Sequence, residues 1–186
     1  WTKTPNLNKI RNLEPDLIVM DKEENPLEIY QTLQDEGFTI FVSEVESPRD
    51  VPNMLRELGK ACGRDSAGGK LALLCEDSLS QIHSTTRRLR TVPLIWYEPL
   101  MAVSPQKYAG AILSEVGFDV IDTHPGSNGY PEVSIDDFVK HEIELILLAS
   151  EPHEFTLEEG DGIASNIVKA GGKAPMVKLI DGEDLT

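Results

Sequence analysis

The chain has 186 residues, which is enough for one large domain or two small lobes. Its 32 acidic residues outnumber its 17 Lys and Arg and give a formal net charge of −15, which repels nucleic-acid phosphates. The three clustered cations, Arg87, Arg88 and Arg90, fall at the end of a predicted helix, where they complement the helix dipole. We therefore expect no nucleic-acid partner.

Membrane and cysteine signals are sparse. No stretch approaches the apolar length of a transmembrane helix, and no signal peptide is visible in the polar residues that follow Trp1. The two cysteines, Cys62 and Cys75, form no CxxC motif and have no His nearby, which argues against a zinc or thioredoxin-like site. Both fit a packing role in a helix, and a disulfide between them stays open.

The first segment alternates helical and strand patterns. Asn6 opens the first helix. The predicted elements are a helix carrying Leu7, Ile10 and Leu13 that ends before Pro15, a strand at 16–20 buried on both faces, a helix at 26–36 and a strand at 38–42. Strand, helix and strand at this spacing predict a βαβ unit with a parallel sheet.

The middle segment, residues 47–90, is predicted to be helical without a strand. Its first helix carries Val51, Met54, Leu55 and Leu58, and its second spans 71–89 with Leu74, Leu79, Ile82 and Leu89 on the apolar side. This much helix between two sheet-forming segments indicates a rigid connector.

The last segment returns to an α/β pattern. Ser134 is a predicted N-cap. Strands are predicted at 91–97, 118–121, 144–149 and 176–180, and helices at 107–116, 135–141 and 161–171, with a turn-rich loop at 122–129.

Several blocks of the sequence, in the order given next, resemble sequence blocks of one protein family. They are Thr2-Lys-Thr-Pro-Asn-Leu7 followed by 10–18, Leu94-Ile-Trp-Tyr-Glu-Pro-Leu-Met101, Tyr130-Pro-Glu-Val-Ser-Ile-Asp-Asp137, and 144–149 with Ser150-Glu-Pro152. The chain resembles the helical-backbone (class III) substrate-binding proteins of ABC importers. The resemblance implies an α/β fold of two Rossmann-like lobes joined by a long backbone helix. It divides the chain into a partial, truncated N-terminal lobe (1–46), the connector (47–90) and a C-terminal lobe (91–186).

The resemblance also implies a function and a compartment. The expected ligand is cobalamin, haem or a ferric chelate such as a siderophore, held in the cleft between the lobes and delivered to ABC permease subunits. No cofactor is required, and the expected location is periplasmic or at the cell surface.

Candidate ligand contacts follow from chain position. Trp96 and Tyr97 end a predicted strand, where α/β folds place ligand sites. Neighbours on a strand point opposite ways, so one of the two is expected to face the ligand. Tyr130 closes a Gly/Asn loop, in a position where cobalamin-binding relatives carry an aromatic residue. Glu151 and His153 lie in the late cleft-loop block, and His153 could ligate a haem iron or a cobalt or simply be a solvated loop histidine.

The resemblance assigns permease docking to Asp136, although an acidic residue at a helix start also suits the dipole. The corresponding first-lobe carboxylate is replaced by Asn8 in this chain, which puts symmetric docking in doubt.

Other function classes lack support in the sequence. The chain has no GxSxG, P-loop, HExxH or GxGxxG motif, so an enzyme is not expected and a hydrolase is the least favoured alternative. The acidic residues between 151 and 161 lack EF-hand spacing, and no metal site is predicted. A non-transport sensor or interaction module built from the same lobes stays the principal alternative.

Overall fold

A computed structural model describes residues 3–82 and 87–185 of the chain. These residues fall into two units, one drawn from Trp1–Val45 and Arg49–Gln81, the other from Glu46–Pro48 and Ile82–Thr186. The helical middle segment thus groups with the N-terminal unit, and its role as a connector stays a prediction. Within the described residues, no helix combines the length and apolarity that crossing a membrane requires.

The N-terminal unit contains the predicted βαβ unit. Its elements are α1 (Leu7–Leu13), β1 (Ile18–Asp21), α2 (Leu27–Asp35) and β2 (Ile40–Ser43). The side chain of Asn6 accepts a hydrogen bond from the Lys9 amide at 3.0 Å, and Glu14 ends α1 in the left-handed region at φ 45°. The strands β1 and β2 pair in parallel, with Ile18 opposite Ile40, which confirms the predicted unit.

The predicted burial of the first strand on both faces is wrong. In β1 only Met20 is buried, and Val19 is 54% exposed. Strand side chains point alternately to the two faces of a sheet, and burial on both faces requires a covering layer over each. The face of β1 that carries Val19 is open to solvent in the part of the chain that the structure describes.

The middle segment forms two helices, α3 (Val51–Ala61) and α4 (Asp65–Ser80). α4 begins earlier than predicted, with Gly68 and Gly69 inside it, and ends earlier, at Ser80. Its predicted apolar side is also wrong, because Leu74 is 65% exposed while Gly68 and Ala72 are buried. Part of the predicted second helix (83–86) lies outside the described residues.

The helices α3 and α4 approach each other closely at two glycines. The Cα atom of Gly68 lies 2.9 Å from the place that a Cβ on Gly59 would occupy, and a Cβ on Gly68 would lie 2.5 Å from the carbonyl oxygen of Leu55. Backbone atoms cannot move aside as flexible side chains do. Glycine at these positions is therefore a packing requirement, which explains why residues of low helix propensity occur here. Cys62 and Cys75, in the same segment, are free thiols.

The C-terminal unit is an α/β structure around one sheet. Its elements are β3 (Arg90–Trp96), β4 (Met101–Ala102), α5 (Tyr108–Glu115), β5 (Asp119–Val120), α6 (Ile135–Lys140), β6 (Leu145–Ala149), α7 (Leu157–Lys169), β7 (Met176–Ile180) and a 3-10 helix (Gly182–Leu185). The sheet order is β4-β3-β6-β7, and β5 pairs with the first half of β3. All pairings among these strands are parallel except that of β3 with β4.

Two apolar clusters cover the two faces of this sheet. Ile146 and Leu148 of β6 belong to the cluster that contains Phe138 of α6 and Ile163 of α7. Leu145 and Leu147 belong to the other cluster, with Leu113 of α5 and Leu185. All five residues of β6 are buried, as expected of a central parallel strand with helices on both sides.

Two further predictions need correction. Arg87, Arg88 and Arg90 do not end a helix: Arg90 begins β3, and the Arg87 guanidinium forms an ion pair with Glu144. The helix predicted at 161–171 begins earlier, at Leu157, because Thr156 and Glu159 form a reciprocal capping box. The short strand β4 and the final 3-10 helix were not predicted.

We predict that Gly68→Ala destabilises the helical pair by about 1–3 kcal/mol, because the added methyl group meets backbone atoms of the facing helix. Gly69→Ala is the matched control, since a Cβ there meets nothing within 4 Å. The control is expected to stabilise the helix by about 0.5–1 kcal/mol. Chemical denaturation followed by circular dichroism measures both changes, and equal effects of the two variants would contradict the close crossing.

Candidate functional site

The candidate site lies at the carboxyl edge of the C-terminal sheet. β3 and β6 are neighbours in parallel register, with Leu94 opposite Leu148, so the loops that follow them emerge side by side. The loop after β6 contacts the end of β3 directly, because the His153 amide donates a 3.4 Å hydrogen bond to the Ile95 carbonyl oxygen. This is the edge where open α/β sheets bind ligands.

Four rings, from the last residue of β3 and from the two loops, form a cluster that we call the ring cluster: Trp96, Tyr97, His153 and Phe155. His153 is central. Its ring stacks on Tyr97 with centroids 5.8 Å apart and planes 13° from parallel. The rings of Phe155 and Trp96 lie edge-on to the His153 ring, with centroid distances of 4.7 Å and 6.0 Å respectively. The structure thus brings together three of the residues that the sequence predicted as ligand contacts.

The adjacent aromatic residues differ in exposure. Trp96 is 41% exposed, and its indole Nε1 donates a 3.0 Å hydrogen bond to the Glu98 carbonyl oxygen. Tyr97 is partly buried and packs against the apolar cluster beneath the sheet edge, with its ring also edge-on to Phe155 at 6.1 Å. Trp96 is therefore the one of the pair that presents a large ring surface to solvent.

Glu159 was not predicted as a site residue, yet its carboxylate contacts His153. One oxygen, Oε1, lies 3.1 Å from His153 Nε2. The other, Oε2, accepts hydrogen bonds from the Thr156 amide at 2.7 Å and the Thr156 hydroxyl at 3.0 Å. The amide hydrogen bond from Thr156 is the main reason that the pKa of Glu159 is lowered, with smaller contributions from the Thr156 hydroxyl and His153. The Thr-x-x-Glu spacing of a capping box was the sequence signal for this residue.

Glu151 lies at the rim of the same loop. It is exposed, and its Cγ lies 2.5 Å from the place that a Cβ on Gly182 would occupy. The hydroxyl of Ser150 accepts a 2.9 Å hydrogen bond from the Gly182 amide. The 3-10 helix at the end of the described chain thus packs against the base of this loop.

Tyr130 lies in another loop, which runs beside β4. The Ala102 amide donates to the Pro131 carbonyl oxygen and the Ser104 amide to the Gly129 carbonyl oxygen, each at 2.9 Å. Since β4 pairs with the end of β3, this loop also lies on the carboxyl half of the sheet.

The side chain of Lys107 covers part of the Tyr130 loop. Its ammonium group lies 5.0 Å from the centroid of the Tyr130 ring, and its alkyl chain fills the space above Gly129. Gly129 has φ +93°, a conformation that favours glycine. Lys107 was not predicted as a site residue, because a lone Lys at a helix start gives no sequence signal.

Asp136 is exposed in the first turn of α6, as expected for a docking residue and also for a dipole partner. Its neighbour Asp137 has a different role, since it forms a capping box with Ser134. Partial burial opposes ionisation of Asp137, but the hydrogen bonds from Ser134 outweigh it and lower the pKa.

A cavity of about 670 Å³ opens at the opposite, amino-terminal edge of the same sheet. Its lining includes Arg87, Arg90, Glu144 and Lys173, and the ion pair between Arg87 and Glu144 lies within it. None of the predicted ligand contacts lines this cavity. We place the candidate site at the carboxyl edge, where the ring cluster lies and where α/β folds bind ligands. Across the described ranges, no three His, Cys, Asp or Glu side chains form a group suited to a metal ion.

The element order and sheet topology are those of the helical-backbone class of substrate-binding proteins. A family model described as "Periplasmic binding protein" matches residues 2–174. The chain therefore belongs to the periplasmic binding protein family, which confirms the resemblance seen in the sequence. This is a family of binding proteins rather than enzymes.

Individual relatives are distant. The chain is 22% identical over 143 residues to the vitamin B12-binding protein of Vibrio parahaemolyticus serotype O3:K6, a match that covers 75% of this chain and 52% of that protein. The chain spans about half the length of the curated relatives it matches.

Solved structures show the same fold. The periplasmic vitamin B12 binding protein BtuF of Vibrio cholerae has a TM-score of 0.76 at 19% identity, covering 100% of this chain and 72% of that one. The periplasmic heme-binding protein RhuT from Roseiflexus sp. RS-1 has a TM-score of 0.74 at 16% identity, covering 100% and 74%.

We predict a pH-dependent contribution of Glu159 to stability. Its folded-state pKa lies below the unfolded value of about 4.3. The ionised carboxylate therefore stabilises the fold above that value, and this stabilisation is lost as the pH falls through the lowered pKa. Wild type should have a higher denaturation midpoint than Glu159→Gln at pH 7, and the difference should shrink below about pH 4.

The control for this comparison is Glu158→Gln, which removes the same charge from the same helical turn but not from the capping box. It is expected to change the midpoint less than Glu159→Gln does. A difference between wild type and Glu159→Gln that stayed constant from pH 7 to pH 3 would contradict the assignment.

Proposed function

We propose that this chain is the substrate-binding component of an ABC importer and that it captures a metal chelate, namely cobalamin, haem or a ferric chelate. The observation that carries this proposal is the ring cluster, in which Trp96 is exposed beside a stacked Tyr97 and His153. A corrin or porphyrin has a large apolar face, and aromatic side chains cover such a face with little loss of side-chain entropy.

The relatives support this ligand class. The matched proteins named above are described as binding vitamin B12 or heme. Their descriptions as periplasmic support a location outside the cytoplasm for this chain as well.

Within this proposal, Trp96 makes the main contact with the ligand face, and Tyr97 supports it from below. Glu151 and His153 complete the contact from the neighbouring loop. We favour ring contact over metal coordination for His153, because its Nε2 already lies 3.1 Å from a Glu159 oxygen. Coordination through this nitrogen would require that contact to break.

We predict that Trp96→Ala weakens binding of haemin or cyanocobalamin by about tenfold, since one exposed aromatic contact is lost. Visible absorption during a ligand titration measures the affinity. In a Trp1→Phe background, Trp96 is the sole tryptophan, and ligand binding is expected to quench its fluorescence.

The matched control is Val116→Ala, which trims a side chain of similar exposure (46%) at the end of α5, outside the ring cluster. Its affinity should equal that of wild type. A folded wild-type protein that binds neither chelate would exclude the tetrapyrrole ligands, and ferric siderophores would be tested next.

We further propose that Tyr130 contacts the ligand from the loop beside β4, with its ring held by Lys107. The same absorption titration with Tyr130→Ala tests this placement. Weaker binding supports it, and unchanged affinity would remove this loop from the binding surface.

We also propose that Asp136 docks to the permease; its side chain is exposed and is not part of the capping box. We predict that Asp136→Asn leaves ligand affinity unchanged but reduces stimulation of uptake in vesicles containing the cognate permease. Glu142→Asn, an exposed carboxylate just beyond the same helix, is the control. Ligand binding without any interaction with a permease would favour the sensor function instead.

A further inference from the structure

The two oxygens of the Glu159 carboxylate make different contacts. Oε2 completes the capping box at the start of α7, through the amide and hydroxyl of Thr156. Oε1 lies 3.1 Å from Nε2 of His153, the central residue of the ring cluster. The side chains of Glu159 and His153 are both partly covered, with 23% and 29% exposed.

The helix α6 shows that the capping box alone does not require a glutamate. There the equivalent residue is Asp137, whose Oδ2 accepts hydrogen bonds from the Ser134 amide at 2.8 Å and hydroxyl at 2.7 Å. The second oxygen, Oδ1, remains 3.9 Å from the nearest imidazole nitrogen, that of His124. An aspartate therefore completes a capping box in this chain, whereas Glu159, which is longer by one methylene, also places its second oxygen 3.1 Å from His153 Nε2.

The imidazole of His153 links Glu159 to the other three rings of the ring cluster. Its ring stacks on Tyr97 and touches the rings of Phe155 and Trp96. Phe155 is buried, so it supplies a fixed wall on one side. A hydrogen bond at Nε2 limits rotation of the imidazole, and the imidazole in turn limits the positions available to Tyr97 and Trp96.

We propose that Glu159 is a positioning residue of the ligand site: it holds the His153 imidazole against Tyr97 and thereby sets the aromatic surface that the metal chelate meets. This role rests on the proposed function, because it assigns a binding consequence to the ring cluster. Side chains that orient a binding residue commonly affect affinity without touching the ligand.

The variant Glu159→Asp separates the effect of the capping box from the effect of the contact with His153. The shorter side chain can still cap α7, as Asp137 caps α6, but it withdraws from His153. We expect the thermal unfolding midpoint of Glu159→Asp to fall no further below wild type than that of the Glu158→Gln control. Affinity for whichever of haemin and cyanocobalamin the wild type binds should fall by about tenfold.

Nuclear magnetic resonance of the ligand-free protein tests the positioning directly. The carbon-bound imidazole protons of His153, assigned by comparison with His153→Gln, are shifted by the rings of Tyr97 and Phe155. In Glu159→Asp these resonances should move towards the values of an exposed histidine, and in Glu158→Gln they should not.

The outcomes are distinct. Unchanged His153 resonances in Glu159→Asp overturn the proposal, as does a change in resonances with full ligand affinity. An affinity loss that only follows a lower unfolding midpoint shows a structural role alone and also overturns it. A wild-type protein that binds no chelate overturns the proposed function and the binding role together, while the resonances still decide whether Glu159 holds the imidazole.

Discussion

The structure of the C-terminal unit depends on one strand that is apolar on both faces. Every residue of β6 is buried, with Ile146 and Leu148 on one side and Leu145 and Leu147 on the other. Such a strand is stable only in the middle of a sheet that carries helices on both faces. Its parallel pairing with β3 then brings the ends of the two strands together. The contact between the ring-bearing loops is a consequence of this pairing.

Elements with strong local signals were predictable from the sequence. Asn6 and Ser134 both act as the predicted N-caps, and the last strand has the predicted bounds of 176–180. α4 was harder to predict, because Gly68 lowers helix propensity in isolation but is required where two helices cross closely. The exposure of Val19 depends on what covers its face of the sheet, which a local sequence pattern does not contain.

The candidate site was predictable in position but not in detail. Strand alternation predicted that Trp96 and Tyr97 point opposite ways. Which of them stays exposed depends on His153 and Phe155, which come from a loop distant in the chain and cover Tyr97. The capping box at Thr156 was present in the sequence, yet its second role is visible only in three dimensions, because His153 Nε2 reaches the same carboxylate through space.

Two of the loops at the carboxyl edge contact a residue at the start of a helix. Glu159, in the first turn of α7, holds His153, and Lys107, the N-cap residue of α5, covers Tyr130. In parallel α/β structures the helices begin near the carboxyl ends of the strands, so helix-start residues lie beside the ligand edge. The amino ends of these helices also supply partial positive charge to that edge. At α7 that charge is met by Glu158 and Glu159 in the first turn, whereas α5 has no acidic residue there. In a chain with a net charge of −15, Lys107 and the amino end of α5 therefore make the edge beside Tyr130 locally more positive.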